Sequence, residues 1–308
     1  MIRRIVAFLC TGGLATQGMA AADSALATDF LRATDSTGFV TTGWNAAWLA
    51  RYRDFDHYAA FSAGELDHRQ RSLGIERRQR VVGVTWRAID ARNGTGTDLT
   101  IQNAFDSRRD RLLFEGSHVQ LLDEATRLEL FGNRTPVDTA VGLVADLHYT
   151  SGGLGIERRL SNRWSTLANA SWTAYSDRGA RHTLRAGLVY ELAPQAGVTL
   201  QWRGKWSYTD RQGDVGGYFS PDTFSDQTLL IGWAKRSGPW RWRTRIGFGR
   251  QHVEVAPWKT VRVADLDLRY TLSPRQQLSL QYSYTDAAER PGPDTNFRSI
   301  KLRWLVAP

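Results

Sequence analysis

The chain is nearly free of cysteine and lacks any long apolar run, and each absence excludes a class of protein. One of its 308 residues is cysteine, Cys10, and it lies in a short apolar stretch near the N-terminus. We expect that stretch to be removed, so the mature chain would form no disulfide and no thiolate metal site. No later segment approaches the roughly 20 consecutive apolar residues that a membrane helix needs. The mean hydropathy of -0.41 still admits a membrane barrel, because only alternate residues of a barrel strand face lipid.

The first 22 residues are typical of a secretory signal peptide. Arg3 and Arg4 precede the apolar segment 5–9, and small residues lead up to Ala22. This order of basic, apolar and small residues predicts cleavage after Ala22. Cys10 lies inside the apolar stretch rather than just after it, which argues against lipidation. Residues 23–36 show no clear period, and we expect them to form a short periplasmic lead-in.

Apolar and polar side chains alternate along most of residues 37–308. The clearest case is the segment 240–248, in which Arg241, Arg243 and Arg245 alternate with Trp, Thr and Ile. Successive side chains of a strand point to opposite faces. Alternation without an intervening helical pattern predicts an all-β fold, a transmembrane antiparallel β-barrel with lipid outside and water inside. The 12 Trp, 10 Tyr and 12 Phe residues suit the aromatic girdles of such a barrel.

Turn residues divide this region into about 16 candidate strands, an even number as single-chain bacterial barrels prefer. They are 38–52, 58–68, 80–89, 98–105, 112–122, 126–131, 139–149, 153–159, 164–175, 182–192, 197–208, 228–235, 240–253, 260–272, 277–285 and 297–306. In the C-terminal half, short polar turns alternate with the longer links 209–227 and 286–296. Short periplasmic turns and long extracellular loops are the pattern of a barrel in the outer membrane of a Gram-negative bacterium.

One face of the C-terminal strands carries many bases, and this face is expected to line the lumen. Placing Arg or Lys in the lipid midplane would cost about 2–4 kcal/mol each. The predicted lumen bases are Arg185, Arg203, Lys205, Arg241, Arg243, Arg245, Arg269, Lys301 and Arg303. The inward acids on the same strands are Glu191, Asp265 and Asp267.

Two interpretations of the basic wall stay open. The first is a lumen that attracts anions along a substrate path. The second is an internal salt-bridge network, in which acids from the first half of the chain meet these bases. Those acids are Glu65, Asp67, Glu115, Asp123, Glu124 and Glu129. About 16 strands leave room for an aqueous channel, which loops could still plug.

The formal net charge of +9 points to an anionic partner in the cell envelope rather than to nucleic acid. Candidates are lipopolysaccharide and an acidic polysaccharide chain. Interfacial Arg and Lys that meet the headgroups of the outer-membrane lipid are the alternative explanation.

One loop carries a recognisable motif, formed by Gly217, Tyr218, Phe219, Ser220 and Pro221. With the residues around it, the loop resembles the Gly-Tyr-Phe-Ser-Pro segment in the barrel of the outer-membrane component of cellulose synthase. It is similar, more loosely, to the export porin for poly-N-acetylglucosamine. The resemblance covers about residues 125–308 and implies a 16-stranded barrel that exports an exopolysaccharide. The tyrosine and phenylalanine would stack on sugar rings or wedge the loop into the barrel.

The same resemblance raises the question of a periplasmic guide. Members of that family carry a tetratricopeptide superhelix before the barrel, and residues 23–36 leave no room for one. A separate periplasmic tetratricopeptide or synthase-complex protein would then be the partner.

Catalysis finds little support in the sequence. His148 with Asp146 is the most plausible acid–base pair, since i and i−2 share a face of a strand. No serine nucleophile motif or metal-ligand spacing accompanies it. We therefore expect no catalytic residue, no metal and no cofactor. The predicted function is exopolysaccharide export, with a general anion-preferring porin or a plugged structural or receptor barrel as alternatives.

Overall fold

The computed structural model shows a closed antiparallel β-barrel of 16 strands. It describes residues 24–90, 92–106, 110–215, 218–273, 275–286 and 296–307. The expected signal peptide therefore lies outside the described residues. The strands are β1 (Ala25–Asp35), β2 (Phe39–Leu49), β3 (His57–Gln70), β4 (Ile75–Ile89), β5 (Gly96–Phe105), β6 (Asp110–Leu121), β7 (Thr126–Pro136), β8 (His148–Arg159), β9 (Trp164–Tyr175), β10 (Ala180–Ala193), β11 (Val198–Arg211), β12 (Thr223–Ser237), β13 (Trp240–Val253), β14 (Lys259–Ser273), β15 (Gln276–Thr285) and β16 (Phe297–Val306).

Each strand pairs with its sequence neighbours, and β1 pairs with β16 to close the ring. Closure leaves no strand edge unpaired, which a bilayer requires because lipid offers no hydrogen-bond partners. The outer face is apolar: Phe30 is 58% exposed and Phe248 66% exposed. Side chains of this size stay exposed at low cost only where lipid replaces water. The all-β, transmembrane barrel prediction is thus confirmed.

The first strand corrects the prediction of a lead-in at residues 23–36. Ala25–Asp35 forms β1, hydrogen-bonded to β2 and β16 along its whole length. Its alternation is hard to read because Thr28 and Arg32 interrupt the outward face, while small alanines fill much of the inward one. The sequence pattern is weak although the strand is complete.

The predicted strand 139–149 is also wrong. Residues Ala140–Val144 form a single helical turn, α1, capped by Thr139, whose hydroxyl accepts from the Gly142 N–H at 3.0 Å. β8 begins only at His148 and continues through the predicted segment 153–159. One missed strand and one surplus strand cancel, so the predicted total of 16 agrees with the structure despite two wrong assignments.

The two ends of the barrel differ in the length of their connections. Short turns join β10 to β11, β12 to β13 and β14 to β15, whereas β7–β8, β11–β12 and β15–β16 have long links at the opposite end. We call these the short-turn end and the long-loop end. Gly197 illustrates a tight turn: its φ is +72°, and a Cβ there would clash with the Ala234 carbonyl. Within the described residues, no helix has the length and apolarity to cross a membrane.

Candidate pore lumen

Strand register places all the predicted lumen bases on the inward face. Arg241, Arg243 and Arg245 of β13 lie opposite Arg269, Asp267 and Asp265 of β14. Their sequence neighbours on the other face include exposed Trp240 and Ile246. Arg185 pairs with Lys205, and Arg203 with Gly187, on β10 and β11. Lys301 and Arg303 pair with inward residues of β1.

Several of these bases have carboxylate partners on the adjacent strand or on their own. Arg245 lies 3.0 Å from Asp265 of β14, and Arg269 lies 3.4 Å from Asp267 on the same strand. Arg303 donates to Asp29 from Nε at 2.6 Å and from Nη2 at 2.9 Å. Lys301 lies 3.7 Å from the same carboxylate.

Several inward acids lie outside the predicted set. Asp29 lies on β1, in the segment predicted to be a lead-in. Asp226 lies on β12 opposite Lys205, within a segment predicted to be a loop. The alternation across 223–228 is the signal that could have revealed the second of these.

The opposite wall has a different composition. Glu115 of β6, Glu129 of β7 and Glu157 of β8 face inward, as their register with inward neighbours shows. In a ring of 16 strands, β6–β8 lie half a turn from β14–β16. The same strands also carry inward Arg111 and Arg127, and Arg127 lies 3.6 Å from Glu157, so acidic and basic side chains are mixed on this wall.

Only two of the acids predicted in the first half of the chain lie on this wall. Glu65 and Asp67 face outward at the long-loop end, where they pair with Arg78 at 3.3 and 3.1 Å. Asp123 and Glu124 lie in the β6–β7 turn. Of the predicted set, Glu115 and Glu129 line the lumen. The wrong assignments follow from choosing acids by sequence region rather than by strand phase.

The β7–β8 loop, residues 137–147, lies across the long-loop mouth. Asp138 is 3.5 Å from His68 of β3, and its carboxylate accepts from the Thr41 hydroxyl of β2 at 3.4 Å. These partners are inward-facing side chains several strands away. Leu143, within α1, is 1% exposed, and its carbonyl accepts from Arg77 of β4. The loop therefore narrows the opening, and we call it the mouth loop.

A cluster of ion pairs anchors the C-terminal end of the mouth loop to the barrel wall. Asp146 contacts both Arg77 and Arg111, and Arg77 also binds Asp106. The two arginines come from β4 and β6, so one loop carboxylate links two parts of the wall. Their side chains are at most 12% exposed, and a low local dielectric strengthens such contacts.

The motif loop folds inward beside the mouth loop. Tyr218 stacks on Tyr175, with ring centroids 4.0 Å apart, and donates to Asp177 at 2.9 Å. Burial, followed by this hydrogen bond, raises the pKa of the Tyr218 hydroxyl well above its ordinary value, so it remains a donor. Tyr218 and Tyr175 also pack with Val137 and Leu147, the two ends of the mouth loop.

The remaining motif residues tie the loop to the wall. Arg181 donates to the Phe219 carbonyl at 2.8 Å, and the Pro221 carbonyl accepts from Thr209 at 2.6 Å. The hydroxyl oxygen of Ser220 lies 3.2 Å from that of Thr209, while Gly217 lies outside the described residues. These contacts are those of a loop wedged into the barrel.

The short-turn end is narrowed by an apolar cluster. Tyr52, in the β2–β3 connection, is 3% exposed and packs with alanines of β1, Leu49 and Leu305. Phe55 meets Tyr52 edge-on at 6.3 Å between centroids. Asp56 accepts from inward Arg87 of β4 at 3.1 Å. The β2–β3 connection thus folds toward the lumen.

The proposed acid–base pair of His148 and Asp146 is not formed. Asp146 precedes β8, has φ of +63°, and turns toward Arg77 and Arg111. His148 instead lies 2.7 Å from Arg134 through Nε2. The i and i−2 rule fails here because only one of the two residues lies on a strand.

No protein-family model matches the chain, and no curated protein matches it in sequence. Solved structures do resemble it. A bacterial polysaccharide outer membrane secretin aligns with a TM-score of 0.65 and 12% identity, over 92% of this chain and 98% of that one. The fold is that of an outer-membrane β-barrel. CdiB from Escherichia coli aligns with a TM-score of 0.50 and 10% identity, over 90% of this chain and 62% of that one.

At such low identity, the likeness of this outer-membrane barrel to its neighbours concerns the fold. The coarser part of the resemblance seen in the sequence, an outer-membrane β-barrel of 16 strands, is confirmed. The cellulose-synthase type stays a prediction.

Proposed function

We propose that this barrel is an outer-membrane pore through which an acidic exopolysaccharide is exported. The basic inward wall of β10–β14 and β16, in a barrel of 16 strands, is the observation that carries the proposal. A barrel of this size has space for water beyond its wall side chains. Its likeness in fold to a polysaccharide outer membrane secretin supports the choice of cargo.

The wall chemistry suits a hydrated chain of charged sugars. Guanidinium groups bind carboxylates with two parallel hydrogen bonds, and β13 presents three of them in succession on its inward face. Inward Ser and Gln side chains of β15 offer neutral hydrogen bonds between the charges.

The loops give this pore a direction and a gate. The short-turn end would face the periplasm and the long-loop end the exterior. A polymer leaving the cell would displace the mouth loop last. A separate periplasmic protein would deliver the chain to the Tyr52 end.

A general anion-preferring porin is the second candidate. The mouth loop favours it, because a loop held across the opening by Arg77, Arg111 and His68 restricts passage to small solutes. Dependence of polymer secretion on the gene in cells separates the two candidates.

The decisive experiment is single-channel recording of the refolded protein in planar bilayers, with acidic and neutral oligosaccharides added in turn. We expect steady conductance and block by the acidic class. The variant R241S/R243S/R245S should weaken that block by about tenfold or more, because charged hydrogen bonds are lost. The matched comparison S279A/Q281A/S283A changes three inward residues of β15 without changing charge, and should weaken the block less than the arginine variant does, because neutral hydrogen bonds contribute less than charged ones.

Two results would contradict the proposal. One is an unchanged acidic block in the arginine variant. The other is the absence of conductance both in the intact protein and after release of the mouth loop.

A further inference from the structure

Four of the five adjacent strands β13 to β16 and β1 carry charge on their outward face, and they do so at one end of the barrel only. Their outward-facing charged residues are Arg250, Arg262, Arg298 and Arg32, and all four side chains are exposed. We call them the arginine row. Toward the short-turn end, the same outward faces hold Trp240, Trp242, Tyr270 and Trp304 instead.

The four arginines are neighbours across strands. Arg250 lies opposite Thr260, one diagonal step from Arg262, and Arg32 lies opposite Ile300, one diagonal step from Arg298. Diagonal neighbours on one face are about 7–8 Å apart. Tyr284 of β15 stands between the two pairs, and the Arg298 guanidinium lies 5.5 Å from its ring centre. The row is therefore a continuous band over five strands.

The row sits at the edge of the lipid-facing surface. Two residues below it on the outward faces are Phe248, Ile300 and Phe30, which are 66%, 40% and 58% exposed. The length of β13 from Arg250 to Trp242 and Trp240 is about 26–33 Å. Because the strand is tilted, its height across the membrane is smaller and is close to that of an apolar band roughly 25 Å tall. The guanidinium groups thus lie at headgroup depth.

Within the described residues, none of these four arginines forms an ion pair. The carboxylate of Asp286 accepts from the backbone N–H of Arg262. The contrast is the outward face of β3 and β4, where Arg78 and Arg69 meet Glu65, Asp67 and Glu76. Four exposed guanidinium groups at headgroup depth, without a carboxylate partner among the described residues, suit an anion from outside the chain.

We propose that the arginine row binds the phosphate groups of lipopolysaccharide in the outer leaflet. Arginine binds phosphate through two parallel hydrogen bonds, and spaced guanidinium groups suit a glycolipid with more than one phosphate. The acyl chains would lie on the phenylalanines and isoleucine below the row. Placement in the outer leaflet rests on the proposed outer-membrane pore, since it takes the long-loop end as external.

The test uses the refolded barrel in phosphatidylcholine nanodiscs, with native mass spectrometry of bound lipid. Bisphosphorylated lipid A and dephosphorylated lipid A are the two probes. The intact protein should prefer the phosphorylated lipid. The variant R32S/R298S should lose that preference and bind phosphorylated lipid A at least about tenfold more weakly.

The control variant R158S/K235S removes equal charge from outward, exposed positions at the short-turn end. It should stay within about twofold of the intact protein. Equal losses in both variants, or no preference for phosphate in the intact protein, would overturn the proposal. Far-ultraviolet circular dichroism checks that each variant folds. Conductance recorded on the same samples separates a failure of lipid binding from a failure of the pore.

Discussion

Tyr218 shows how one side chain can hold two loops together. Its ring stacks on Tyr175, its hydroxyl binds Asp177, and both tyrosines pack against Val137 and Leu147. An aromatic ring with a polar tip can satisfy an apolar surface and a buried acceptor at once. The motif residue therefore acts where the motif loop and the mouth loop meet.

Replacing Tyr218 by Ala should loosen the motif loop more than replacing it by Phe. Phenylalanine keeps the stack and loses one hydrogen bond, whereas alanine loses both. Limited trypsin digestion at Arg211 of protein in vesicles measures the effect. We expect cleavage about tenfold faster for Y218A, with Y218F between it and the intact protein. Equal rates for all three would show that the tyrosine anchors nothing.

At the scale of the element, β1 tests the assignment of faces. Phe30 faces lipid near the middle of the strand, and Leu31 beside it faces the lumen. Phe30→Arg should reduce the free energy of unfolding by about 2–4 kcal/mol, the range for arginine at the lipid midplane. Urea titration of folding into vesicles measures it.

Leu31→Arg is the matched control, because it introduces the same side chain one residue away on the face that lines the lumen. A smaller loss for Leu31→Arg is expected. Equal losses at the two positions would mean that β1 does not separate lipid from water.

A second prediction at the scale of the element concerns the mouth loop. Asp146→Asn keeps a residue that tolerates positive φ and removes the charge that binds Arg77 and Arg111. The mouth loop should then leave the opening more often, and single-channel recordings should show more frequent or larger openings. The control Asp110→Asn, on the outward face at the same end, should show openings of the same frequency and size as the intact protein.

The elements differ in how far the sequence could predict them. In β10, β11 and β13 to β16, large apolar residues mostly alternate with polar ones, so the lumen face could be predicted residue by residue. β1 could not, because alanines on the inner side and Thr28 and Arg32 on the outer side erase the contrast. The segment 139–149 misled for the opposite reason: Val141, Leu143 and Leu147 alternate like a strand, yet Leu143 and Leu147 are buried in the mouth loop.

The residues of the candidate lumen also differ in how far the sequence could predict them. Which bases face inward follows from the period of two, whereas which acids meet them depends on tertiary contacts that period does not encode. Asp29 reaches Arg303 through the pairing of the first strand with the last. The role of Asp146 depends on a loop that crosses the barrel mouth.

At the scale of the whole molecule, the lumen charge should make the pore prefer anions. The preference should be strongest at low salt, since the screening length falls from about 30 Å at 0.01 M to about 3 Å at 1 M. Reversal potentials across a salt gradient, repeated at several mean concentrations, measure this. Anion selectivity that does not fall with salt would indicate a narrow filter of a few residues.

The seam between β1 and β16 has a consequence for how the barrel comes into being. Every other pairing joins strands that follow one another along the chain, so those hairpins can form from nearby residues. The seam joins Leu26 to Val306 and can form only when all the intervening strands are in place. Until then the sheet has two open edges, which are prone to join other chains. Ring closure is thus the slow, vulnerable last step, and alignment of Asp29 with Arg303 marks its correct completion.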